Sequence, residues 1–83
     1  WHASLLFDLV LLNHWLQWLN WLRAKLVVHA PSGWFSVNCL ENSLQSWKAS
    51  EWRTDSRIEL IFESPQDLNS LKKGLQDCLI HPL

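Results

Sequence analysis

The sequence predicts an α+β domain in which an N-terminal helix, an antiparallel meander of about four strands and a C-terminal helix follow in order, the helices covering one sheet face. Three observations predict it. Between Asn13 and Arg23 the polar residues fall at Asn13, Gln17, Asn20 and Arg23, one narrow stripe of a helix. Between Lys25 and Glu63, short alternating or β-branched runs are separated by turn-forming clusters. From Ser64 onward, a capped, leucine-striped segment reads as a second helix.

The first helix is expected over Leu5 to about Arg23, either continuous or broken near Asn13-His14, with Trp15, Leu16, Trp18, Leu19, Trp21 and Leu22 around the polar stripe. Lys25 to Ala30 has the β-branched centre and short length of a strand. Pro31-Ser32-Gly33 is a turn, since proline fixes φ and glycine tolerates a positive one. In the next strand, Trp34 to Leu40, Phe35, Val37 and Cys39 share one face, and Ser36 and Asn38 the other. Its three-residue connection makes a hairpin with the strand before it. Glu41-Asn42-Ser43 punctuates again. Leu44 to Trp52 forms a less regular strand, Trp47 and Ala49 against Ser46, Lys48 and Ser50. After a turn at Arg53 to Ser56, Arg57 to Glu63 alternates most clearly, with Ile58, Leu60 and Phe62 inward. The second helix is expected to start at Ser64 as N-cap, with Pro65 first and Asp67 completing a capping-box-like start. Leu68, Leu71, Leu75, Cys78 and Leu79 form its apolar stripe, Gly74 weakens its interior, and Pro82 stops it.

Eighty-three residues support one small domain with limited burial. At 48% hydrophobic and 18% charged residues the chain is not of disordered type. It begins at Trp1 and ends at Ile80-His81-Pro82-Leu83, just past a helical pattern, and so reads as a fragment or truncated domain. A net charge of −1, with basic residues scattered among acids, argues against nucleic acid as a partner. Polar residues interrupt the N-terminal stretch too often for a transmembrane helix. The chain is expected to be cytoplasmic, with a peripheral membrane contact allowed. Cys39 and Cys78 fall on apolar faces and read as buried thiols.

Chemistry-bearing patterns are missing. The four histidines and two cysteines show no CxxC, HxxxH or HExxH spacing, so no metal is expected. No GxSxG occurs, and two glycines cannot build a phosphate loop, so neither catalysis nor a cofactor is expected. What remains is apolar excess. Four of the seven tryptophans (Trp1, Trp15, Trp18, Trp21) lie near the N-terminus, and two helices compete for one small sheet face. Part of that apolar surface is either core, a cavity lining or an interface.

Several short motifs resemble one known family. Leu11-Leu12-Asn13-His14-Trp15-Leu16 resembles the opening helix of sterol-carrier-protein-2-like domains, in particular the ubiquinone-biosynthesis accessory factor form. Lys25 to Ala30 followed by Gly33-Trp34-Phe35-Ser36-Val37 is similar to that family's first hairpin. Thr54 to Phe62 resembles its strand after an acidic turn, and Ser64 to Leu68 with Leu71 and Gly74 its following helix. Glu41-Asn42-Ser43 lacks the family's turn glycine, and the chain stops before the family's further strand. The resemblance implies helices and sheet enclosing an apolar tunnel that binds or presents a lipid, with no fixed ligand motif.

The expectation is thus non-enzymatic binding of a sterol, acyl or polyprenyl lipid. Trp15, Trp18, Leu19 and Leu22 would line the pocket from the first helix, Phe35, Val37, Ile58, Leu60 and Phe62 from the sheet, and Leu71 and Leu75 from the second helix. They would exclude water from the chain at about 25 cal/mol per Å² of apolar area. The alternative is an interaction module whose Trp-rich first helix docks a protein partner or a second copy in a homodimer. A third reading is a truncated domain whose missing strand covers this surface.

Overall fold

The computed structural model describes residues 1–40 and 46–80. The elements are α1 (Leu9–Trp18), β1 (Trp21–Ala30), β2 (Gly33–Leu40), β3 (Lys48–Ala49), β4 (Arg57–Phe62) and α2 (Leu68–Asp77). This is the expected α+β class, with two helices and a four-stranded antiparallel sheet. The sheet order is β3-β2-β1-β4. The first three strands run as a meander, and β4 returns to the far edge of β1, which makes β1 a central strand.

The first helix is shorter than its polar stripe suggests. It starts where Asp8 Oδ1 accepts from the Val10 and Leu11 amides at 2.9 and 3.2 Å. It stops at Trp18, and Trp21, Leu22 and Arg23 belong to β1 instead. The indole N–H of Trp21 donates to the Leu16 carbonyl at 3.0 Å, satisfying one of the acceptors that a helix end leaves open. Trp21 is 1% exposed in that position. Burying this ring in the sheet layer outweighs extending the helix by another turn, because aromatic residues suit strands as well as helices. A register shift between Trp21 and Arg23 absorbs the change of direction.

The hairpin turns as expected, with Gly33 at φ 138° beside Pro31 and Ser32. β3 is only two residues long, Ala49 opposite Phe35 and Lys48 opposite Ser36, so the alternation expected of this strand holds over a short stretch. Its expected start at Leu44, the turn at Glu41-Asn42-Ser43 and the stop at Pro82 lie outside the described residues.

The second helix is capped by Asp67, three residues after the expected Ser64. The Asp67 carboxylate accepts from the Asn69 amide and the Ser70 hydroxyl, both at 3.0 Å. A carboxylate combines capping with a favourable charge at the helix N-terminus, which explains why it displaces a hydroxyl.

The core lies between helices and sheet. Leu12 and Leu16 of α1, Leu75 and Cys78 at α2 and its end, and Ala24, Leu26, Val28, Val37 and Cys39 of the sheet pack with Phe7 and Trp21. The N-terminal segment ties both ends of the fold to β1. The Phe7 amide donates to the His29 carbonyl, Asp8 to Cys78, and Ile80 to Leu6, each at 2.8 Å. The Trp15 indole of α1 packs against Gly74 of α2. A Cβ there would overlap the Trp15 indole, with Cε2 at 2.8 Å.

Two stability predictions follow from these contacts. Gly74→Ala, which on an exposed helix would stabilise by about 1 kcal/mol, is expected here to destabilise by about 1–3 kcal/mol through overpacking. Urea melts decide it, and a raised midpoint would contradict the Trp15 contact. Asp67→Ala should cost about 1 kcal/mol, whereas Ser64→Ala should stay within about 0.5 kcal/mol. The reverse order would return the cap to Ser64.

Candidate functional site

Residue parity along β1 divides the sheet into two chemically different faces. Ala24, Leu26, Val28 and Ala30 are buried toward the helices. Arg23, Lys25, Val27 and His29 point the other way. Pairing extends this outer face into transverse rows. Lys48, Ser36, Val27 and Arg57 lie side by side across all four strands, a span of three strand spacings or about 14 Å. Asn38, Lys25 and Glu59 form the next row, and Leu40, Arg23 and Ile61 the one beyond.

Among the described residues, no helix covers this face. It carries a groove of about 500 Å³ walled by Lys25, Ser36, Asn38, Lys48, Arg57 and Glu59, with Ser46, Ser50 and Trp52 on its rim. Asp55 builds the rim. It accepts from Arg57 Nε at 3.0 Å, and its carbonyl accepts from the Trp52 indole N–H at 2.8 Å. The Arg57 guanidinium sits 4.7 Å from the Trp52 ring centroid, a cation–π contact that stiffens both side chains. Below the groove, His29 stacks flat on Trp34 at 4.3 Å and 2°. Its ring Nδ1 lies 2.7 Å from the Ala3 carbonyl, and its amide donates to the buried Ser56 hydroxyl at 3.0 Å. This stack closes one end of the face. Leu40 and Ile61, 54% and 53% exposed, leave an apolar margin at the other.

Arg23, Lys25, Lys48 and Arg57 are four of the chain's seven Lys and Arg residues, and Glu59 is the one acid in these rows. The fold therefore gathers cations that look scattered in sequence. The alternation of Arg23 and Lys25 on β1, added to the polar positions of the neighbouring strands, is the signal that reveals them. Chemically, the face offers ammonium and guanidinium donors flanked by hydroxyls and an amide. The β1 and β2 amides are spent on the ladder, so no backbone cradle for a phosphate exists among these rows.

The Cys78 thiol lies outside this face. Burial, with smaller contributions from Asp77 and Asp8, pushes the Cys78 thiol up to about 11. Its Sγ lies 3.3 Å from the Gly74 carbonyl. Such a thiol stays protonated at neutral pH and is a poor nucleophile. Among the described residues, no three of His, Cys, Asp and Glu converge as a metal-binding group.

The residues expected to line a lipid pocket occupy different places. Val37 and Leu75 are buried in the core, and Trp15, Leu19, Ile58, Leu60 and Phe62 pack against it. Phe35, opposite Val28, and Leu71 are half-buried. Trp18 is 88% exposed, and Leu22, in the β1 irregularity, is 45% exposed. Trp15, Trp18 and Trp21 do not form one helical flank, because Trp15 turns to α2, Trp18 to solvent and Trp21 into the sheet layer. Trp47, half-buried, donates its indole N–H to the Asn13 side chain at 2.6 Å, which accounts for a polar position inside α1.

The fold is thus a two-layer α+β domain with one sheet face closed by helices and the other open, cationic and grooved. The family model described as the cobalamin synthesis protein cobW C-terminal domain matches residues 1–79, and the chain belongs to that family. No curated protein and no solved structure gives a match. Membership overturns the sterol-carrier-protein-2-like resemblance, and with it the lipid or isoprenoid ligand, the hydrophobic cavity and the link to ubiquinone biosynthesis. Docking or dimerisation through the first helix would have to do without Trp21, which belongs to β1, while Trp18 stays 88% exposed on α1. The quoted motifs, a hairpin, an acidic turn and a leucine helix, are generic to α+β domains and do not separate the two families. Among the described residues, no helix is long and apolar enough to cross a membrane.

The unfolded Cys78 thiol ionises near 9.0 and the folded one near 11, so this contribution to stability is complete below pH 9 and is lost as pH rises toward 11. Thermal midpoints should fall across that window, and Cys78→Ala should flatten the fall. Alkylation of native Cys78 that is already fast at pH 8 would contradict the burial.

Proposed function

We propose that this chain is a non-catalytic recognition domain of a cobW-type protein, and that it works through the outer face of its sheet. The family description names the C-terminal domain of a cobalamin synthesis protein. Within such a protein, this domain supplies a binding surface, and chemistry falls to other parts of the assembly. The observation that carries the reading is the asymmetry of the sheet. One face is sealed by the Leu12, Leu16 and Leu75 layer, while the other presents a groove of about 500 Å³ lined by cations. Surfaces that combine charged groups with exposed aliphatic margins suit transient protein contacts.

Lys25 and Lys48 are both exposed and can be reversed without touching the core. The test places Lys25→Glu with Lys48→Glu in a cobW-type protein that carries this domain at its C-terminal end. Growth dependent on that protein's cobalamin-related activity should fall while the domain's thermal midpoint changes by no more than a few degrees. Full activity with the reversed face would overturn the reading.

A further inference from the structure

The outer face has a composition that selects among occupants. Arg57 is already engaged by Asp55 and Trp52, whereas Lys25 and Lys48 make no ion pair among the described residues. Glu59 stands beside Lys25 across the β1–β4 pair, and Asp55 holds the rim, so the positive character centres on the β1–β3 side of the groove. Arg23 extends it toward the apolar margin of Leu40 and Ile61. Cations beside exposed aliphatic residues call for a ligand carrying both carboxylates and aliphatic groups.

A nucleic acid fits poorly. Its phosphates would meet Glu59 and Asp55, its bases would find the Trp52 ring already capped by Arg57, and Leu40 and Ile61 would have no partner. An extended peptide fits the dimensions. Its alternate side chains point the same way about every 7 Å, so a few residues bridge the roughly 14 Å from the β3 edge to the β4 edge.

We propose that the outer sheet face docks an extended acidic segment of a partner protein, with Lys48 and Lys25 meeting its carboxylates and Leu40 and Ile61 an aliphatic side chain. This rests on the reading of that face as a recognition surface and names the chemistry it recognises. Binding is driven by charge complementarity, so it weakens as salt rises. Trp52, on the groove rim, reports occupancy through its emission.

The experiment titrates the isotopically labelled chain with a short synthetic peptide alternating glutamate and leucine, followed by amide chemical shifts and tryptophan emission. Shifts confined to outer-face positions of the sheet, Ile61 of β4 included, with affinity falling about tenfold in Lys25→Glu/Lys48→Glu, are the expected result. A matching lysine–leucine peptide should leave these signals unmoved. If the basic peptide perturbs the outer face and the acidic one does not, the surface stands as a docking site but the acidic occupant is wrong. If a single-stranded oligonucleotide moves the same signals and neither peptide does, the partner class is wrong. If no probe moves them, the proposal and the recognition reading both fall. Circular dichroism of the double variant separates lost binding from lost fold.

Discussion

The two-sided alternation of β1 is the constraint on which the rest of the molecule depends. As a central strand it is paired along both edges, so its register is set twice. Leu26 sits opposite Val37 on one side and Ile58 on the other. A one-residue slip would send Lys25 into the helix layer and Leu26 to solvent, so burial enforces the register. That same parity lays the polar positions of β2, β3 and β4 beside Lys25. Core and candidate site are two consequences of one alternation.

The helices serve this arrangement by closing one face, while Val10, Leu11, Trp18 and Leu68 stay exposed on their outer sides. Asp8 and Asp67 set their starts, Gly74 lets them approach, and Trp21 ends the first by taking its Leu16 carbonyl. The N-terminal segment then stitches Phe7 between His29 and the end of α2. On the other side, the Asp55, Trp52 and Arg57 contacts give the groove a stiff rim.

Much of the fold was legible because alternation and turn chemistry are local. The hairpin at Gly33, the inward faces of β2 and β4, and the Leu71, Leu75 and Cys78 part of the α2 stripe all follow from residues near one another, whereas Leu68, expected on that stripe, is 62% exposed. What was not legible depended on distant partners. Asn20 and Arg23 continue a helical spacing, but Trp21 gains more from the sheet layer than from another helical turn. Ser64 satisfies a capping pattern, yet Asp67 offers the better acceptor. The candidate site was least visible, because strand pairing alone brings Arg23 and Lys25 of β1, Lys48 of β3 and Arg57 of β4 onto one face. Apolar excess near the N-terminus drew attention to a cavity, whereas most of that excess closes the core. Only Trp18 and Leu22 among the residues expected to line a pocket are left strongly exposed.

The most direct measurement is a nuclear Overhauser spectrum of the labelled chain in solution, assigned across β1. The account predicts cross-strand contacts that place Leu26 opposite both Val37 and Ile58, and Lys25 opposite both Asn38 and Glu59. Contacts displaced by one residue on either edge, or β4 paired with β3 instead of β1, would contradict it. Either result would scatter the cationic rows and remove the surface on which the functional reading stands.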